Sequence, residues 1–186
     1  FGTNRAMMDI VDLDAKLMKA QLSMSDTLRT LDIRLFAGKT YIVQSLLRGY
    51  YSPIRIINSD TPDNMEVILY DIAQLKAAKN KLPLVLVSYM AAHSDVLTDN
   101  SYYELNNLAD FIKDNPDCMV EVISNVADDD AVQAFNLSQS RSHTIKKYLV
   151  SLGVDKNRVI ASGYGNTGYQ VADSTAYPAP TEIRIW

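Results

Sequence analysis

The chain has 186 residues, 47% hydrophobic and 22% charged, with a formal net charge of −4. That is the balance of a globular protein of one large or two small domains. It speaks against nucleic acid as a partner, because no basic run is long enough to follow a phosphate backbone, and no stretch approaches the ~18 apolar residues of a transmembrane segment.

The opening FGTNRAMMDI lacks the charged and apolar regions of a signal peptide. The expectation is either a cytosolic protein or a mature fragment that has lost its signal, and a start at Phe1 rather than Met favours the fragment. The first part reads as β. MMDIVDL, AQLSMS, LDIRLF, TYIVQSLL, IRIIN and MEVILYDI are short apolar runs or alternations, separated by turn signals at Ser25-Asp26, Gly38-Lys39, Gly49-Tyr50, Ser52-Pro53 and Asp60 to Asp63. Strands at this spacing suggest a small antiparallel sheet or sandwich. The segment AQLKAAKNKLP, residues 73–83, is rich in Ala and Lys and reads as a linker or a short exposed helix. It divides a domain of residues 1–72 from one of residues 84–186.

The second part alternates strands and helices. LPLVLVSYM has strand length. The next helix opens on a capping box, Ser101 to Glu104, buries Leu105, Leu108 and Ile112 at helical spacing, and stops at Asn115-Pro116. CMVEVIS is a strand and Ala127 to Asp130 a polar loop. Ser138 is the expected N-cap of the second helix, with Ile145, Leu149 and Leu152 as its apolar stripe and Gly153 as its stop. VIASGYG and TEIRIW complete a β-α-β-α-β-(loop)-β order, which favours parallel neighbours with helices packed on the sheet. Read this way, Arg141 falls in the first turn of its helix, where a cation opposes the helix dipole.

Three stretches carry a resemblance. LTDNSYYELNNLADFIKDNPDCMVEV, LSQSRSHTIKKYLVSLGVDKNRVIASGYGN and TEIRI occur in the order and spacing of the OmpA-like C-terminal domain. Residues 84–186 resemble that family, a peptidoglycan-associating module of bacterial envelopes. The first part resembles a carboxypeptidase-regulatory-type β-sandwich in its G-K-x-Y…G-Y pattern at Gly38, Lys39, Tyr41, Gly49 and Tyr50. Such sandwiches precede OmpA-like domains in envelope components of gliding and secretion machinery. The implied architecture is an all-β sandwich-like domain followed by an α/β domain with helices on a mixed sheet.

The resemblance also implies a site. Family members hold the diaminopimelate of the peptidoglycan stem peptide, with an arginine on its carboxylate and an aspartate on its ammonium. A zwitterion needs such an acceptor and a planar donor at fixed separation. The arginine matches Arg141. The aspartate motif reads Ser124-Asn125-Val126-Ala127 instead, and Asp128, one place later, is the candidate for its role. The family's first-strand motif is replaced by Met90 to His93, and the basic residues before the last strand by Pro178-Ala179-Pro180. Arg141 therefore has two readings, a ligand contact or a partner for the Asp128–Asp130 run. A module that has lost its ligand and docks with other envelope proteins is the alternative function.

No cofactor, metal site or catalysis is implied. Asp128 to Asp130 lacks the ligand spacing of a calcium loop. His93 and His143 carry no catalytic spacing. Cys118 is expected as a small buried hydrophobe, and Gly163-x-Gly165 lacks the third glycine of a dinucleotide loop. The expected setting is the periplasm, in association with the outer membrane.

Overall fold

In a computed structural model, described residues are 6–15, 17–23, 35–58, 69, 71–77, 84–86, 90–91, 93–126, 128, 130–166 and 181–185. The expected strands LDIRLF and MEVILYDI fall largely outside these, as does Pro178 to Pro180. The chain divides into two units, Phe1–Asp71 and Ile72–Trp186.

The first unit contains strands β1 (Met7–Asp12), β2 (Leu17–Ser23), β3 (Tyr41–Leu46) and β4 (Arg55–Ile57). They form an antiparallel sheet in the order β2-β1-β3-β4. Met8, Ile10, Tyr41 and Val43 make one buried cluster, with Leu35 and Ile57 packed against it. Asp9 and Val11 on β1 are buried too, so both faces of this central strand are covered. Gln44 Nε2 reaches Asp9 Oδ2 at 3.4 Å, giving the buried carboxylate a partner. The turn from β3 closes with the Tyr50 amide on the Leu47 carbonyl at 2.9 Å. Gly49 takes φ 81° there, a conformation that a β-carbon disfavours.

The second unit opens with a short helix, α1 (Ile72–Ala77), within the Ala- and Lys-rich segment. There follow β5 (Leu84–Leu86), α2 (Asp99–Asp114), β6 (Val120–Asn125), α3 (Ala131–Ser151), β7 (Val159–Gly165) and β8 (Thr181–Ile185). The sheet order is β5-β8-β6-β7. β6 and β7 are parallel, while β8 is antiparallel to both β6 and β5. Hence β5, β6 and β7 all point the same way, and their C-terminal ends lie at one edge of the sheet.

Both helix starts differ from the sequence reading. α2 begins at Asp99 with Thr98 as N-cap, so Ser101 lies inside the helix, its hydroxyl 3.3 Å from that of Thr98. α3 begins at Ala131, two turns before the expected Ser138. The Asp130 side chain accepts from the Val132 and Gln133 amides at 2.9 and 3.1 Å and caps it. Arg141 is therefore a mid-helix residue, and the helix-dipole argument against it disappears. The stops agree with the sequence. Gly153, at φ 91°, ends α3, with the Val154 amide returning to the Leu149 carbonyl at 3.2 Å.

α3 packs on β7 with almost nothing between them. A β-carbon on Gly163 would lie 2.3 Å from the Gln139 amide nitrogen and 2.6 Å from Ser138 Oγ. Ser138 Oγ accepts from the Gly165 amide at 2.9 Å and donates to the Phe135 carbonyl at 2.8 Å. Gln139 Nε2 donates to the Gly163 carbonyl at 3.2 Å. The glycine pair that failed as a nucleotide loop is thus the seat of a helix. Arg158 ties down the other end of the domain, donating to the carbonyls of Cys118 at 2.9 Å, Ile112 at 2.7 Å and Asn115. It thereby satisfies acceptors that the end of α2 leaves open. Cys118 is buried beside this clamp.

Candidate functional site

β6 and β7 run at their C-terminal ends into Val126 and Asn166, and Ala91 and His93 to Val96 follow β5 in the chain. This is the edge of an open sheet at which ligands generally bind. The loops are joined to each other. The Val126 amide donates to the Gly165 carbonyl at 3.1 Å, and the Asp128 amide donates to Asn166 Oδ1 at 3.2 Å. Asn166 Nδ2 donates back to the Asp128 carbonyl. Asp128 is held from its side chain as well: Oδ1 accepts from the Asp130 amide at 2.9 Å, and Oδ2 lies 4.0 Å from His93 Nδ1.

Arg141 reaches the same loops from α3. It is only 4% exposed. Its Nε donates to the Ser94 carbonyl at 2.8 Å and its Nη2 to the Ala91 carbonyl at 3.1 Å. Burial pushes its pKa down from the ordinary arginine value, and the nearby Asp95 carboxylate opposes that fall. Ser140, the preceding residue on α3, donates its hydroxyl to Asp95 Oδ2.

Among the described residues no ion pair joins Arg141 to Asp128 or Asp130. The expected pairing of Arg141 with the acidic run is not formed there. Asp130 caps α3, and the carboxylate beside Arg141 is Asp95. The two candidate residues instead meet one shared loop, Arg141 through Ala91 and Ser94, Asp128 through His93. Sequence reasoning passed over Asp95 and Ser140. Ser140 precedes a marked arginine, but only the folded loop brings Asp95 back to it. Ser124, first of the altered motif, is wholly buried on the α3 side of the sheet, as its pairing with Gly163 requires.

The other singled-out residues lie elsewhere. His143 Nδ1 sits 2.9 Å from the carbonyl of Gln139 in its own helix. Tyr102 and Tyr148 pack with ring centroids 5.0 Å apart, and the Tyr148 hydroxyl donates to Asn106 Oδ1 at 2.8 Å. Burial, followed by the neighbouring Tyr102, raises the pKa of Tyr148. Among the described residues no group of three or more His, Cys, Asp or Glu could hold a metal ion, and no helix is long and apolar enough to cross a membrane.

Residues 89–180 match the model of the OmpA family. The outer membrane porin F of Pseudomonas fluorescens is 40% identical over 74 residues, 39% of this chain. That match spans 22% of the porin's length. Among solved structures, the chain is similar to the OmpA-like domain of FopA1 from Francisella tularensis at 17% identity and a TM-score of 0.47, covering 52% of this chain and 68% of that one. It is also similar to the peptidoglycan-associated lipoprotein from Burkholderia pseudomallei at 20% identity and a TM-score of 0.47, covering 53% of this chain and 88% of that one.

Proposed function

We propose that this is a non-catalytic protein of the bacterial cell envelope, periplasmic and associated with the outer membrane, whose OmpA-like domain attaches to peptidoglycan. In this reading Arg141 takes a carboxylate of the diaminopimelate in the stem peptide and Asp128 takes its ammonium. The observation that carries the reading is the shared loop: a guanidinium and a carboxylate approach it from two elements at the C-terminal edge of the sheet. A planar donor and an acceptor at fixed positions suit a zwitterionic ligand. The matched family model and the name of the porin relative support the envelope setting. The N-terminal sheet is proposed as a carboxypeptidase-regulatory-like sandwich domain, residues 1–72, joined through residues 73–83. The covered faces of β1 support that reading.

Sedimentation with diaminopimelate-type peptidoglycan tests the function. Wild type co-sediments. Arg141→Lys keeps the charge but loses the planar fork, and its affinity falls about tenfold or more. Asp128→Asn falls similarly. Circular dichroism checks that each variant is folded. Retention of folded Arg141→Ala at the wild-type level removes that residue from the site.

One observation favours a second reading. Two donors of Arg141 are already spent on chain carbonyls, with Ser124 to Ala127 where the family keeps its aspartate motif. On that basis the domain serves as a docking piece in an envelope complex, such as gliding or secretion machinery, without binding the ligand. Calorimetry showing no heat with diaminopimelate, while a single envelope protein co-purifies in fixed stoichiometry, selects it.

A further inference from the structure

The chain from Met90 to Leu97 forms a closed excursion. An antiparallel bridge pairs these two residues at its base. Inside it the Ser94 amide donates to the Ala91 carbonyl at 3.1 Å, and the Val96 amide to Ser94 Oγ at 3.1 Å. His93 sits at φ 52°, a left-handed conformation that a β-carbon makes costly.

α3 holds this loop through two successive residues. Arg141 donates Nε and Nη2 to the carbonyls of Ser94 and Ala91, and Ser140 donates to the Asp95 carboxylate. A guanidinium presents its donors in a rigid fork, and Nε with Nη2 form one edge of it. That edge is suited to a bidentate carboxylate. It can serve the loop or a ligand, not both at once. Among the described residues no acceptor meets the remaining Nη1, so the closed arrangement leaves the guanidinium incompletely used.

We propose that the Ala91–Asp95 loop is an internal competitor for Arg141, and that Asp95, anchored by Ser140, sets the affinity and selectivity of the site for ligand carboxylates. The inference rests on the peptidoglycan reading above. In this proposal the ligand carboxylate takes the Nε/Nη2 edge rather than the end of the guanidinium, so the loop lifts about its Met90–Leu97 base on binding. The two carbonyls then leave the Nε/Nη2 edge and the carboxylate takes their place, forming stronger charge-assisted bonds. Lifting also frees His93 from its left-handed backbone. Asp95 acts against the ligand twice, by holding the loop down through Ser140 and by placing a like charge beside the arriving carboxylate.

The test is calorimetry of the whole chain with diaminopimelate and with lysine, in wild type, Ser140→Ala and Asp95→Asn. Lysine is used as its α-carboxamide, which offers ammonium groups and no carboxylate. Amide exchange at Ser94 and Val96 reads the loop directly. Both variants are expected to speed that exchange and to tighten diaminopimelate binding about threefold to fivefold, leaving lysine unchanged. If wild type binds diaminopimelate and the variants bind it no tighter, the competition is refuted and the peptidoglycan reading stands. An equal gain for lysine also refutes it, since the carboxylate would not be what the loop excludes. If no protein binds diaminopimelate although exchange shows the loop released, the peptidoglycan reading itself falls and the competition falls with it.

Discussion

Arg141 and Arg158 show how differently one residue type reads in sequence and in structure. Both are cations that hold backbone carbonyls across long sequence separations. Arg158 closes the end of α2, whereas Arg141 holds a loop at the sheet edge that general experience associates with ligands. The sequence pattern singles out Arg141 for its place in a first turn, and that reason fails because its helix starts at Ala131. Asp95 was illegible, since nothing local to Ser94-Asp95-Val96 announces a partner 45 residues away. Gly163 gives the clearest prediction at this scale. Its missing side chain is where α3 sits, so Gly163→Ala drives a β-carbon into helix backbone that cannot move aside. A loss of about 3 kcal/mol is expected in urea unfolding. A loss under about 0.5 kcal/mol would mean that the helix and strand stand further apart.

At the scale of elements, the helix bodies were legible and their N-termini were not. The apolar stripes of Leu105, Leu108 and Ile112, and of Ile145 and Leu149, are buried as the 3.6-residue period requires. The first turns of α3 hide the same signal, because Val132 and Phe135 point outward, at 69% and 49% exposure. The acidic run before them then reads as loop, although its last member is the cap. The Asp130 carboxyl is drawn below its ordinary value by the Gln133 amide, then the Gln133 side chain and the Val132 amide. A carboxyl depressed in the folded state stabilises fully above its unfolded value and progressively less as pH falls through its folded one. The thermal-midpoint advantage of wild type over Asp130→Ala should therefore hold at pH 7 and shrink as pH drops below about 4. An advantage that stays constant down to pH 2 would show that the cap is not ionic.

For the whole molecule, element order was readable but sheet order was not. A β-α-β unit favours a parallel neighbour, and β6-α3-β7 obeys. β8 enters between β5 and β6, because a strand arriving last and antiparallel can pair with both. No periodicity in TEIRI reports which strands it will join. The division at Asp71 and Ile72 predicts that residues 72–186 form a unit of their own. Expressed alone, they should unfold in one cooperative transition by calorimetry, and a broad, non-cooperative melt would show dependence on the preceding strands. The seating of α3 on the glycines of β7 has a further effect. Because Ser138 and Gln139 touch strand backbone directly, no compressible layer of side chains lies between helix and sheet at that point. A trimmed core residue elsewhere, such as Leu149→Val, lowers the melting temperature yet leaves Arg141 in register with its loop. Stability and alignment are thus set by separate parts of the domain, and the core can drift in sequence while the geometry at the sheet edge persists.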